Sequence, residues 1–161
     1  MKILRIYVDT SVLGGVFDPE FTPWSKGLIE DFRRGRFIPV LSDVTAAEVA
    51  EAPEPVRALH AEMLALNPEV LEVTAETLAL VNGYLIHGTL APRFRSDMLH
   101  IALATVAEAD ALVSWNFKHI VRLDNIRLFN AVNIELGYKP LSIYSPREVT
   151  THERDEDDSG R

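Results

Sequence analysis

Apolar segments of strand length alternate with segments of helical period along most of this chain. Residues 3–8 are a short apolar run, and Trp24, Leu28 and Phe32 then recur at steps of four, as on one helix face. Further strands are predicted at 37–41, 70–73, 111–114 and 141–144, with helical segments between them. Alternation of this kind predicts a parallel sheet covered by helices on both faces. The expected fold is α/β, a three-layer α/β/α sandwich around a mostly parallel sheet.

Single residues sharpen these boundaries. Pro39 has no amide donor, so the second strand is expected to pair poorly there or to lie near an edge. Thr74 and Ser96 are predicted helix N-caps, and Gly137 is a predicted helix end.

Length and composition limit the class of protein. The 161 residues suffice for one domain, predicted at 1–150, and 47% of them are hydrophobic. No cysteine is present, which excludes disulfides and thiolate metal ligands. No apolar run approaches the roughly 18 residues of a membrane span, and no signal peptide is evident. We therefore expect a cytoplasmic protein that makes no use of a membrane.

The net charge of −8 is unevenly distributed. Residues 153–161 hold five acidic residues and two arginines, which account for −3 of it, and they have no apolar side chain to bury. The segment 151–161 is therefore predicted to be a disordered acidic tail. The remaining chain is still acidic, which argues against a broad basic surface for nucleic acid but allows a local basic rim.

Four polar residues stand next to apolar segments that are far apart in sequence. They are Asp9, Glu48, Asp97 and Asn116. In parallel sheets, ligands bind beyond the carboxyl ends of the strands, and all four residues can reach that edge. Converging carboxylates repel each other unless a cation is present. Oxygen ligands of this kind suit Mg²⁺ or Mn²⁺, which can polarise a phosphodiester and activate water.

Each of these residues also has an ordinary interpretation on its own. Asp9 could cap a turn, Glu48 could be a solvated helix position, and Asp97 could favour a helix dipole. Asn116 could simply turn the chain. The combination of the four is more specific than any one of them.

The same residues carry a resemblance to a known family. The chain resembles PIN domains over about residues 3–149. The matching segments are 8–13 (VDTSVL), 47–49 (AEV), 96–104 (SDMLHIALA), 109–116 (ADALVSWN) and 143–149 (IYSPREV). PIN domains are Mg²⁺- or Mn²⁺-dependent ribonucleases, and many bacterial ones are the toxins of VapBC-type toxin–antitoxin pairs.

The resemblance implies roles for individual residues. Asp9, Glu48 and Asp97 would bind the metal, and the hydroxyl of Ser11 would orient Asp9 or a metal-bound water. Many family members have a fourth aspartate where this chain has Asn116, whose amide oxygen can bind a hard cation but adds no charge. This departure would weaken a second metal site more than the first.

Nearby basic residues are candidates for contact with substrate. Lys118 and His119 follow Asn116, and Arg93 and Arg95 precede Asp97, so all four could meet phosphate at the rim of the site. A solvated loop with ordinary charges explains them equally well. His100, among apolar neighbours, is expected to be a core or interface histidine rather than a ligand.

These residues are compatible with three functions. The first is a metal-dependent endoribonuclease that acts on RNA, the toxin of a type II pair with a small antitoxin partner, working as a homodimer. The second is a catalytically inactive PIN-like binding or scaffold module, which Asn116 and the acidic charge favour slightly. The third is a phosphatase with Asp9 as nucleophile, which ranks lower because Ser11 stands where such enzymes need a second aspartate.

Overall fold

The computed structural model describes residues 1–152, so the predicted tail at 153–161 lies outside the described residues. The strands are β1 (Leu4–Val8), β2 (Phe37–Ser42), β3 (Glu69–Leu71), β4 (Ala111–Val113) and β5 (Ile143–Tyr144). The helices are α1 (Thr10–Gly15), α2 (Thr22–Arg33), α3 (Asp43–Ala50), α4 (Glu54–Leu64), α5 (Ala75–Ile86), α6 (Arg95–Val106), α7 (Leu123–Glu135) and α8 (Pro146–Val149). Within this range, none of the helices combines the length and the apolar character needed to cross a bilayer.

The five strands form one sheet in the order β3-β2-β1-β4-β5, and every neighbouring pair is parallel. β1 is central, with Tyr7 opposite Val40 of β2 on one side and Leu112 of β4 on the other. The chain builds outward from β1 to β3, then crosses to β4 on the opposite side. The strand order therefore reverses between β1 and β4, the place where open parallel sheets bind ligands.

Side chains of the central strand alternate between two cores, as the pleat of a strand requires. Ile6 and Val8 pack with residues of α1, α2 and α4, whereas Tyr7 packs on the other face with α5, α6 and α7. Leu28 and Phe32 of the predicted apolar stripe are buried in the first of these cores, and Trp24 packs against it. The predicted three-layer α/β/α architecture is confirmed.

The expectation that the second strand pairs poorly at Pro39 or lies near an edge is confirmed in its first form, although β2 itself lies between β3 and β1. Pro39 pairs with Ile6 of β1, but the short strand β3 begins its pairing only at Val40. At the level of Pro39, β2 therefore has a neighbour on one side only, and the missing amide costs little.

The structure also corrects one helix start and adds two short helices. Ser96 is not the N-cap of α6, because a 3-10 turn at Pro92–Phe94 leads directly into the helix and places Phe94 at the cap. Thr74 caps α5 as expected. The four-residue α8 and the six-residue α1 were not predicted, since neither is long enough to show a helical period.

Candidate functional site

Asp9 lies where β1 passes into α1. Its amide donates to the carbonyl of Val113 at 3.1 Å, which brings it beside the end of β4. Although Asp9 is at the N-cap of α1, its side chain makes no capping bond. Instead, Oδ2 accepts hydrogen bonds from the hydroxyls of Ser11 and Ser114, each at 2.7 Å. The carboxylate is buried, with 5% of the residue exposed, and is fixed toward the carboxyl edge of the sheet.

Glu48 reaches the same place from α3. Its Oε1 accepts a hydrogen bond from Thr10 Oγ1 at 3.2 Å and contacts Nε2 of His100. That same Nε2 lies 3.3 Å from Oδ1 of Asp9. His100 therefore stands between two carboxylates that come from different segments of the chain.

His100 is the residue that sequence reasoning missed at this site. It is 1% exposed, so its expected burial is confirmed, but it is part of the ionisable cluster as well as of the core. A signal was present in the sequence, because His100 follows Asp97 by three residues and such pairs share one helix face.

The other ring nitrogen of His100 is held from the sheet. Nδ1 lies 2.6 Å from the hydroxyl of Tyr7, which in turn lies 2.7 Å from Oγ of Ser42. Burial raises the pKa of Tyr7, so its hydroxyl keeps its proton. The imidazole ring is thus fixed at one nitrogen, and Nε2 is presented to the carboxylates.

Asp97 and Asn116 meet on the other side of the site. Oδ1 of Asp97 accepts a hydrogen bond from Nδ2 of Asn116 at 3.3 Å, and Oδ2 lies 3.0 Å from Nδ1 of His119. Oδ1 of Asn116 accepts the amide of His119 at 2.9 Å and so closes a turn after β4. The backbone N–H of Asn116 also donates to Oγ of Ser114, and Ser114 in turn donates to Asp9. The pair of Asp97 and Asn116 is thereby connected to Asp9.

Burial and neighbouring charges shift the pKa values of Asp97 and His100. Burial raises the pKa of Asp97, and the charge of Asp9 raises it further, against the hydrogen bond to His119 that lowers it. Burial by itself would lower the pKa of His100, but the hydrogen bond to Glu48 and the charges of Asp9, Glu48 and Asp97 outweigh it, so this pKa is raised. Three carboxylates and a buried histidine therefore share one environment that stabilises positive charge.

The donor set fits a divalent cation. Ligand atoms of Asp9, Glu48 and His100 lie within 4.8 Å of one another. Carboxylate oxygens suit Mg²⁺ or Mn²⁺, and an imidazole nitrogen is compatible with a transition metal. Asp9 and Glu48 belong to the predicted set, while the roles of Asp97 and Asn116 as ligands stay predictions. Asp97 is connected to the group through Asn116 and Ser114.

The predicted contacts with substrate form a rim next to Asp97. The ring of Phe94 packs against that of His119 with centroids 3.8 Å apart, and the guanidinium of Arg93 lies 4.8 Å from the centroid of Phe94. Lys118 and Arg95 are exposed. Ser11 contacts Asp9 directly. The roles of Ser11, Lys118 and His119 in binding substrate stay predictions.

Neither the known protein-family models nor the curated proteins include a match to this chain. Solved structures do match. A chain in the crystal structure of VapBC2 from Rickettsia felis, bound to a DNA fragment from their promoter, aligns with a TM-score of 0.56 and 11% identity. The alignment covers 88% of this chain and 98% of that one.

A second match is a chain in the crystal structure of FitAcB from Neisseria gonorrhoeae. Its TM-score is 0.57 at 16% identity, and the alignment covers 89% of this chain and 99% of that one. At such identities the likeness concerns the fold. The chain therefore has the PIN-like α/β fold that its sequence predicted, over nearly the whole length of these neighbours.

Proposed function

We propose that this protein is a metal-dependent endoribonuclease. The observation that carries the proposal is the convergence of Asp9, Glu48 and Asp97, from three distant segments, at the point where strand order reverses. Carboxylates that share a partly buried site are costly to a fold unless they serve a cation or a proton. Their position is where parallel sheets bind ligands.

The residues around the cluster would each have a role in holding the cation. Ser11 and Ser114 fix Asp9 through its Oδ2, and Thr10 supports Glu48, so that the remaining carboxylate oxygens are oriented before any cation binds. A bound Mg²⁺ or Mn²⁺ would polarise the phosphodiester and lower the pKa of water. Asp97 and Asn116 would be further ligands, as the resemblance to PIN domains implies.

RNA would approach over the rim beside Asp97. Lys118 is exposed and supplies a positive charge, and His119 is held by Asp97 and Phe94 with its backbone fixed by Asn116. Cationic side chains next to an acidic, cation-filled site suit a backbone phosphate on one side and a metal on the other.

We further propose that the protein is the toxin of a type II toxin–antitoxin pair, acting in the cytoplasm as a homodimer and held by a small antitoxin. This proposal is supported by the fold shared with chains of VapBC2 and FitAcB. Induced expression of the wild-type chain should then arrest growth, and expression of Asp9→Asn should not. Growth that continues with soluble wild-type protein would contradict the toxin assignment.

The nuclease is tested by cleavage of single-stranded RNA with Mn²⁺ or Mg²⁺ and with a chelator. We expect cleavage only with metal, and loss of cleavage in Asp9→Asn and Asp97→Asn. Glu135→Gln is the matched control, because Glu135 is an exposed acid in the last turn of α7 that pairs with His87. Equal cleavage by wild type and Asp9→Asn would reject the assignment.

A second candidate is an inactive binding or scaffold module, and two observations favour it. Asn116 directs its amide nitrogen toward Asp97, and His100 can itself place positive charge between Asp9 and Glu48. The cleavage assay separates the candidates, since a folded wild-type chain that cleaves no RNA in a broad panel with Mn²⁺ would favour the scaffold.

A further inference from the structure

His100 is a buried nitrogen donor that the proposed carboxylate chemistry does not use. Its side chain is 1% exposed, and Nε2 faces Asp9 and Glu48 rather than an apolar neighbour. A core position would be served as well by an apolar side chain of similar volume, without the cost of burying a polar ring. Its placement therefore calls for a function inside the site.

The geometry around Nε2 suits a metal ligand. The ligand atoms of Asp9, Glu48 and His100 lie within 4.8 Å of one another, and they come from the junction of β1 and α1, from α3 and from α6. The side chain of Glu48 is 37% exposed, so it can adjust without disturbing the core. Asp9 and His100 are fixed more firmly, since each is hydrogen-bonded by buried hydroxyls.

The support behind the ring resembles that of metal-binding histidines, whose second nitrogen is normally hydrogen-bonded. Here Nδ1 faces the hydroxyl of Tyr7, which faces that of Ser42. Both hydroxyls can donate or accept, so either tautomer of His100 keeps a partner at Nδ1. The ring can therefore hold its proton at Nδ1 without losing its partner there. The lone pair on Nε2 is then turned toward the carboxylates, and a bound cation would replace the hydrogen bond between Nε2 and Glu48.

We propose that Nε2 of His100 binds the divalent cation together with carboxylate oxygens of Asp9 and Glu48, which makes the centre a mixed nitrogen–oxygen site. The inference rests on the proposed metal dependence and adds a ligand and a metal preference to it. Magnesium is a hard ion that favours oxygen ligands, whereas imidazole favours first-row transition metals. The site is accordingly selective for Mn²⁺ over Mg²⁺.

Pulsed electron paramagnetic resonance of the Mn²⁺-loaded full-length protein tests the ligand directly, with no need for activity. A coordinated imidazole gives nitrogen modulation, and replacing ¹⁴N by ¹⁵N in the histidines must change it. We expect this signal in the wild type, its loss in His100→Gln, and its retention in His119→Gln. His119 is the matched comparison, because its ring contacts the site carboxylate Asp97.

Calorimetric titrations with Mn²⁺ and with Mg²⁺ give a second readout. His100→Gln should weaken Mn²⁺ binding by about 10-fold or more and change Mg²⁺ binding less, since only the nitrogen contribution is lost. Equal losses for both metals would overturn the proposed preference. If His100→Gln does not fold, His119→Gln decides: nitrogen modulation that survives there supports His100, and modulation lost there overturns it.

The failure of this inference can be told from the failure of the proposed function. Bound Mn²⁺ without histidine nitrogen modulation would overturn the role of His100 and leave a carboxylate metal site intact. No Mn²⁺ binding at all would overturn both. Modulation that persists in His100→Gln and disappears in His119→Gln would assign the nitrogen to the other histidine.

Discussion

Two buried aspartates in this molecule have opposite surroundings. Asp31, in α2, is 2% exposed, and its carboxylate accepts hydrogen bonds from Thr150 Oγ1 at 2.9 Å and from the amide of Thr151 at 3.0 Å. The hydroxyl of Thr151 donates to its other oxygen at 2.5 Å, and Arg36 lies 3.5 Å away. Asp9 is 5% exposed and has two hydroxyl donors, but it faces Glu48 and His100 and feels the charge of Asp97.

The difference separates a carboxylate with a structural environment from the one that we propose binds a cation. Around Asp31, donors and a guanidinium compensate one charge and fasten the segment after α8 to α2. Around Asp9, the carboxylates of Glu48 and Asp97 add negative charge, and His100 is the basic side chain in contact with it. Burial alone therefore does not mark a site, whereas uncompensated charge at the carboxyl edge of a parallel sheet does.

The largest expected difference between the two regions is in catalysis. Asp9→Asn should reduce RNA cleavage by at least about 100-fold, because it removes a charge that holds the cation. Asp31→Asn should leave cleavage by the folded protein within about 3-fold, since Asp31 contacts no residue of the site. Initial rates on one RNA at saturating Mn²⁺ check both, and comparable losses in the two variants would erase the distinction.

Stabilisation of the protein by bound Mn²⁺ should depend on Asp9 and not on Asp31. At 100 times its dissociation constant, Mn²⁺ should raise the free energy of unfolding of the wild type by about 2.7 kcal/mol. The same increment is expected in Asp31→Asn and should be absent in Asp9→Asn. Thermal unfolding with and without Mn²⁺ measures it. An increment that remains in Asp9→Asn would place the metal elsewhere.

Without metal, the free energy of unfolding should depend more on Asp31 than on Asp9. Asp31→Ala removes the acceptor of four hydrogen bonds and should lower the free energy of unfolding by about 2–3 kcal/mol. Asp9→Asn keeps the shape and relieves repulsion, so it should change stability by less than about 1 kcal/mol. Urea unfolding with a chelator present compares them. A larger loss in Asp9→Asn would identify Asp9 as the structural residue.

Sequence reasoning predicted the part of the site that follows from the topology of the sheet. The parallel-sheet rule placed Asp9, Glu48 and Asp97 near one edge because each adjoins a segment whose end lies there. It did not place His100, because the apolar neighbours at 99 and 101 are typical of a core histidine and outweighed the spacing of three residues from Asp97. Its contacts with residues 7 and 48 depend on how α3 and α6 pack over the sheet. Asp31 was missed for the same reason, since its threonine partners, Thr150 and Thr151, lie more than a hundred residues away.

The smallest effect on cleavage is expected at Ser114, because Asp9 accepts hydrogen bonds from two hydroxyls. Ser114 donates to Asp9, but so does Ser11, and Ser114 also accepts the amide of Asn116. Ser114→Ala should reduce cleavage by about 10-fold, the lower range for residues that orient a metal ligand. The metal concentration for half-maximal rate should rise with it. A loss as large as that of Asp9→Asn would mean that Ser114 contacts the cation or the substrate itself.

The central claim is that Asp9 and its neighbours gather to hold a divalent cation, and direct calorimetric titration of Mn²⁺ tests it without any assumption about substrate. The account predicts saturable binding to the wild type and to Asp31→Asn, and none to Asp9→Asn. Absence of binding to the folded wild type, or unchanged binding to Asp9→Asn, would contradict it.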